Sequence, residues 1–102
     1  FKTADALSGT AAKVLLATGL VDVLPAIPGI EQFYGTSVHH CLYCDGAEYK
    51  GAPLVAYGDG DKGAALALMM SHWSPHVTAC CPSGEVSSHL QERLAERRIG
   101  VR

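Results

Sequence analysis

The chain has 102 residues, 48% of them apolar and 18% charged, with a net charge of -2 at neutral pH. Such a length fits one small domain of roughly 100–150 residues, and the composition predicts a packed core rather than disorder. The near-neutral balance excludes the clustered basic face that nucleic-acid binding needs, and no apolar run approaches the roughly 18 residues of a membrane-crossing helix.

The first residues, FKTADALSGT, lack the basic-then-apolar build of a secretory signal and lack an initiator Met. A cytoplasmic setting with reduced thiols is therefore expected, as is a processed or excised piece of a longer chain. Residues 1–7 and 12–18 are predicted as two short strands around the Ser-Gly-Thr turn. The second, AKVLLATG, is a continuous apolar run closed by Gly19, the pattern of a strand buried on both faces. Pro25 and Pro28 disfavour a helical conformation at the residues before them, so LPAIPG is read as an extended connector. This sets a first portion over 1–25, a linker over 26–36 and a domain over 37–102. TSVHHC is expected to be a short strand that carries the chain into Cys41.

From Pro53 the pattern changes. PLVAYGDGDKGAALALMMSHW reads as strand, glycine-rich turn and apolar helix, stopped by Ser74 and Pro75. HVTACC is a second apolar strand. SSHLQERLAERR is a second helix, with Ser87 or Ser88 as its N-cap and Gln91 or Glu92 completing a capping box. Leu90 and Leu94 share its buried face, while Arg93, Arg97 and Arg98 mix with Glu92 and Glu96 on a solvated one. Gly100 is expected to end this helix and Val101-Arg102 to open a third strand. The order β-α-β-α-β predicts an α/β fold with a parallel sheet and helices packed on it.

Gly58-Asp59-Gly60-Asp61-Lys62-Gly63 satisfies G-x-G-x-x-G, and it follows a strand and opens a helix, as a dinucleotide-binding turn must. In such a turn Gly58 permits the tight bend, Gly60 lets a pyrophosphate approach the backbone, and Gly63 lets helix and strand pack closely. A Rossmann-like NAD(P)-binding unit is therefore expected. The end of the second strand is less accommodating. Where an acidic residue would hold a ribose, or an arginine a phosphate, stand Cys80, Cys81, Pro82, Ser83 and Gly84. Asp59 and Asp61 add negative charge where phosphates would lie, although Asp61 also suits a helix cap.

HHCLYCDG carries two cysteines at C-x-x-C spacing. A structural zinc site needs four ligands, and Cys80-Cys81 lacks the spacing of a second knuckle; His39 and His40 could fill in, but adjacent residues seldom both reach one metal, so no metal site is assigned. Cys80 and Cys81 are read as small core residues at a strand end. A redox dithiol needs a small ring, which two intervening residues supply, and an accessible thiolate. A helix start or a protonated His40 favours that thiolate. Asp45, directly after Cys44, suits proton shuttling, although Asp-Gly is also an ordinary turn.

LLATG, LPAIPGIEQFYG, HHCLYCDG, YKGAPLVAYGDGDKGAALAL and SPHVT, in that order and spacing, resemble the low-molecular-weight thioredoxin reductases. The similarity is nearest to their bacterial reductase-like relatives and the fungal dithiol oxidases. It implies an FAD domain split around an inserted pyridine-nucleotide domain, with 1–25 a short β segment from the edge of the FAD-binding part. Cys41 would then exchange with substrate, Cys44 face the flavin and Asp45 move the proton. Ala17, Thr18 and Gly19 would close the FAD half, and Gly58, Gly60 and Gly63 would form the nucleotide loop. The implied cofactor is FAD in the intact protein. The implied substrate is thioredoxin or a small dithiol or disulfide, and a homodimer is left open.

Two departures qualify the resemblance. Reductases proper follow VT with a His-Arg-Arg segment that grips NADPH, whereas here the stretch is ACCPSG, which argues against NADP(H). The oxidase-like relatives share that loss and pass electrons to oxygen. The flanking FAD glycine motif and C-terminal FAD segment are also missing from these residues, as expected of an internal piece that is inactive alone. A non-catalytic nucleotide- or zinc-binding module is the reading from another class.

Overall fold

The computed structural model describes residues 1–102, which divide into two units, Phe1–Gln32 and Phe33–Arg102. The first unit contains one 3-10 turn, Ile30–Gln32, and an isolated antiparallel bridge between Lys2 and Ser8. The strands expected over 1–7 and 12–18 do not form. A strand persists only where its N–H and C=O groups meet a neighbouring chain, and residues 12–18 have no ladder partner. Their apolar side chains consequently face outward, with Leu15 89% and Leu16 82% exposed.

In the second unit the expected strand at TSVHHC is replaced by a tight turn. The Phe33 carbonyl accepts the N–H groups of Thr36, Ser37 and Val38, and only a single parallel bridge joins Tyr34 to Val38. A one-turn helix follows, α1 (Leu42–Asp45).

Beyond it the expected alternation is present. Strands β1 (Leu54–Tyr57), β2 (Val77–Cys80) and β3 (Gly100–Val101) form a parallel sheet in the order β1-β2-β3. Leu54 pairs with Val77 and Tyr57 with Cys80, while Thr78 pairs with Gly100. Helix α2 (Gly60–Met70) crosses from β1 to β2, and α3 (Ser88–Glu96) from β2 to β3. Sequential neighbours joined by helices are the layout of one mononucleotide-binding half.

The core lies between the sheet and α2, and α3 packs along α2. Ala56, Ala64, Ala67, Val77, Ala79, Leu94 and Ile99 are buried together there. Small residues on α2 let the helix approach the strands closely, and Leu94 fills the gap from α3. Its full burial is worth roughly 1.5–3 kcal/mol against exposure. β1 buries one face only: Ala56 points inward while Val55 and Tyr57 are exposed. At the far end of α2, buried Ser74 donates to the Ala52 carbonyl at 2.5 Å and accepts the His76 N–H at 3.1 Å. That one hydroxyl ties the entries of β1 and β2.

Both ends of α3 differ from expectation. Ser87 is the N-cap but its side chain caps nothing. With Ser87 as N-cap, Gln91 lies one residue past the box position, and the Ser87 N–H it would have to receive goes to Asp61; its Nε2 donates to the Val86 carbonyl at 2.7 Å. At the other end Arg98, not Gly100, adopts the left-handed conformation, with φ 56°. The Arg98 and Ile99 N–H groups bond back to Ala95 and Leu94, and buried Ile99 anchors the exit, the usual logic of a helix C-terminus. Gly100 is thereby released into β3.

Candidate redox site

Cys41 is the N-cap of α1, in extended conformation. Its carbonyl accepts the N–H of Cys44 at 3.2 Å and of Asp45 at 3.3 Å. This turn brings the two cysteine Cα atoms to 5.3 Å, and their sulfurs form a disulfide. The residue span is the one such a bond requires. Cys41 is half-buried and Cys44 exposed, so the bridge is open to an attacking thiol on the Cys44 side. Between them Tyr43 is 75% exposed and meets Trp73 edge-on at 5.8 Å between ring centroids.

Asp45, the expected proton carrier, shares this turn with Cys44. Its Oδ2 lies 3.5 Å from Nδ1 of His39. The other ring nitrogen of His39 lies 3.1 Å from the Tyr49 hydroxyl and 3.2 Å from the Thr36 carbonyl. Tyr49 in turn donates to Thr36 O at 2.8 Å. His40, singled out beside the cysteines, instead places Nδ1 2.6 Å from the Tyr34 hydroxyl. His39 beside Asp45, and Tyr49 behind His39, are contacts that the sequence reading did not assign. The only signal was their polarity next to the CxxC. No group of three or more His, Cys, Asp or Glu side chains gathers to hold a metal.

The glycine-rich turn connects β1 to α2. A side chain at Gly63 would run into the Gly58 carbonyl, so this pair does permit the close helix–strand approach. Gly60 has φ 45°, and a Cβ there would meet the Glu85 carbonyl at 2.8 Å. The space over Gly60 is thus filled by the chain's own segment after β2. The Gly60 N–H donates to Ser83 O at 2.7 Å. Asp59 accepts from the Ser83 hydroxyl, and Asp61 accepts the Ser87 N–H at 2.7 Å. Asp61 therefore holds the entry to α3 rather than capping α2. In this arrangement the turn does not fit a pyrophosphate: its central N–H is spent and two carboxylates line it.

Cys80 and Cys81 are free and partly buried. Burial pushes the Cys81 thiol up, and repulsion from Cys80 and Asp59 adds to it, against a lowering hydrogen bond at Ala64. The pair is chemically muted at neutral pH on the Cys81 side. Ala17, Thr18 and Gly19 lie in an exposed, irregular stretch of the first unit. Gly19 has φ 77° and nothing within 4 Å of a notional Cβ. These three residues alone form no cradle for a flavin.

The sequence and the fold both resemble known proteins. The chain is 51% identical over 89 residues to the thioredoxin reductase tcpT of Claviceps purpurea, a match that covers 87% of it and 27% of the relative. It is 36% identical over 90 residues to a thioredoxin reductase of Treponema pallidum, covering 88% of it and 29% of the relative. Among solved structures, the atypical thioredoxin reductase TRi of Desulfovibrio vulgaris Hildenborough superposes with a TM-score of 0.71 at 34% identity, over 83% of this chain and 29% of that one. The chain is thioredoxin-reductase-like. No family model matches it. It spans less than a third of these relatives' length, in agreement with the expected piece of a longer protein. A disulfide oxidoreductase relationship and a Rossmann-like α/β fold are thereby shown for the thioredoxin-reductase-like chain.

Proposed function

We propose that the chain carries the redox-active dithiol of a thiol–disulfide oxidoreductase, with Cys41 and Cys44 as the exchanging pair. The observation that carries this reading is the Cys41–Cys44 disulfide on a one-turn helix, exposed on its Cys44 side, in a thioredoxin-reductase-like chain. A substrate thiolate attacks one sulfur, and a mixed disulfide forms as the other cysteine leaves as thiolate. The second substrate thiol then closes the substrate's own disulfide and releases the first cysteine. Two electrons pass from substrate to the cysteine pair, and two protons follow, with Asp45 the nearest carrier in sequence to Cys44. Run backwards, the same steps reduce a disulfide. Thioredoxin or a small dithiol is the substrate class, and FAD the proposed onward electron partner in the intact protein. The setting is proposed to be cytoplasmic.

The competing reading, a dithiol oxidase that makes no use of NADPH, is favoured over an NADPH-fed reductase by the glycine turn. Ser83 takes the Gly60 N–H and the Glu85 carbonyl closes over Gly60, and no basic side chain lies between Cys81 and Ser87. Anaerobic incubation of the intact, FAD-loaded protein followed by alkylation and mass analysis separates these readings. Dithiothreitol is expected to add two alkylatable thiols, at Cys41 and Cys44, and NADPH none. If Cys41→Ser/Cys44→Ser protein accelerated exchange between dithiothreitol and oxidised glutathione over the protein-free rate as strongly as wild type, the dithiol assignment would be wrong.

A further inference from the structure

We propose that Trp73 is a positioning residue for the Cys41–Cys44 pair: packed behind the turn that carries the two cysteines, it holds them ready to close and so favours the disulfide over the dithiol. This inference rests on the dithiol reading above and deepens it.

The placement follows from helical geometry. Cys41 and Cys44, three residues apart, share one side of the α1 turn, where their sulfurs bond. Tyr43 and Gly46, each two residues further on, lie roughly 200° round the same turn. That second side faces Trp73. The Tyr43 and Trp73 rings meet edge-on at 5.8 Å, within the ordinary range of aromatic pairs. Gly46 is buried, and a Cβ there would lie 3.4 Å from Trp73 Cε2. The indole thus sits against the backbone of the turn, and the sulfur-bearing side is left to substrate.

Trp73 is itself held in place. Its N–H donates to the Met70 carbonyl at 2.9 Å, which ties it to the end of α2, and its own carbonyl accepts the Gly51 N–H at 2.9 Å. The neighbouring Ser74 hydroxyl donates to the Ala52 carbonyl. The segment that returns from α1 to β1 is therefore fastened to the same two residues, 73 and 74, that stand behind the turn. A pair of thiols closes to a disulfide in proportion to the effective concentration of one at the other. A turn backed by a fixed indole keeps that concentration high. Breaking the bond moves the sulfurs apart, and the turn must then relax against Trp73.

The test is a redox titration of Cys41 and Cys44 in the intact, FAD-loaded protein. Samples are equilibrated anaerobically with graded mixtures of reduced and oxidised glutathione, alkylated, and read by peptide mass. Two glutathione thiols give two electrons and two protons; their sulfurs join as the Cys41–Cys44 bond breaks and both cysteines become thiols. Trp73→Ala is expected to favour the dithiol about tenfold in this equilibrium, a shift of about 30 mV. Trp73→Leu, which keeps an apolar side chain in place should Trp73→Ala fail to fold, is expected to shift it about threefold in the same direction. Tyr43→Ala alters an exposed side chain and is expected to do likewise. Because Tyr43 lies between the cysteines and can act by itself, the double variants decide whether the contact matters: they should shift no further than the Trp73 variant alone. A merely structural role for Trp73 would lower the urea midpoint and leave the redox equilibrium of the folded protein unchanged. That result, a shift toward the disulfide, or shifts that multiply in the double variants would overturn the inference. Failure of the dithiol reading looks different and would take this inference with it: wild-type Cys41 and Cys44 would then stay closed to alkylation at every glutathione ratio.

Discussion

At the scale of single residues, the two acidic side chains of the glycine turn show how position overrides type. Asp61 is placed to cap its own helix, yet its Oδ1 receives the N–H of Ser87, 26 residues on. A carboxylate on a backbone N–H at a helix entry contributes on the order of 1 kcal/mol. Asp61→Ala is expected to lower stability by about that much, read as a reduced urea midpoint with unchanged m-value. Cys81 offers a pH test. Burial raises its thiol above the ordinary range, so less thiolate is present at neutral pH and alkylation must await more alkaline solution. Labelling of Cys80→Ser protein, with Cys41–Cys44 oxidised, should therefore stay slow at pH values where a free cysteine reacts and rise only above them. The C-x-x-C pair and Asp45 were legible as letters. The partner of Asp45 was not, because whether His39 or His40 turns toward it depends on the turn at 36–41.

At the scale of elements, the β-α-β-α-β order follows from the sequence because each apolar run and each breaker is local. β1, α2, β2 and α3 stand where the runs predict them. The ends of α3 escaped the pattern, since the Ser87 N–H went to Asp61 rather than to a side chain of its own helix and Ile99 burial set the exit. α3 is held mainly by Leu94, which is fully buried. Leu94→Ala is expected to cost about 2–5 kcal/mol, measurable by chemical unfolding. Gly63→Ala sets the helix against the Gly58 carbonyl and is expected to destabilise by about 1–3 kcal/mol. An equal or higher thermal midpoint in that variant would show that the turn relaxes freely.

At the scale of the whole molecule, the two units differ in how much of their backbone is paired. The second carries the sheet and its helices, while residues 11–25 of the first carry neither helix nor strand. Segments with few protected hydrogen bonds open at low cost, so limited trypsin digestion is expected to cut after Lys13 well before Lys62 in α2. Leu15, Leu16, Leu20 and Val21 stand exposed in that segment; AKVLLATG reads as a strand from its letters because a buried strand and an unpaired apolar stretch have the same composition. The sequence by itself determined the C-x-x-C spacing that lets Cys41 and Cys44 bridge, and the helix–strand alternation after Pro53, since both depend on neighbours within a few residues. Only the tertiary structure decided which groups meet across longer spans: Ser83 on Gly60, Ser87 on Asp61, and His39 held between Asp45 and Tyr49. Those pairings are set by chain closure and by the need of each polar group for a partner, and no local period records either.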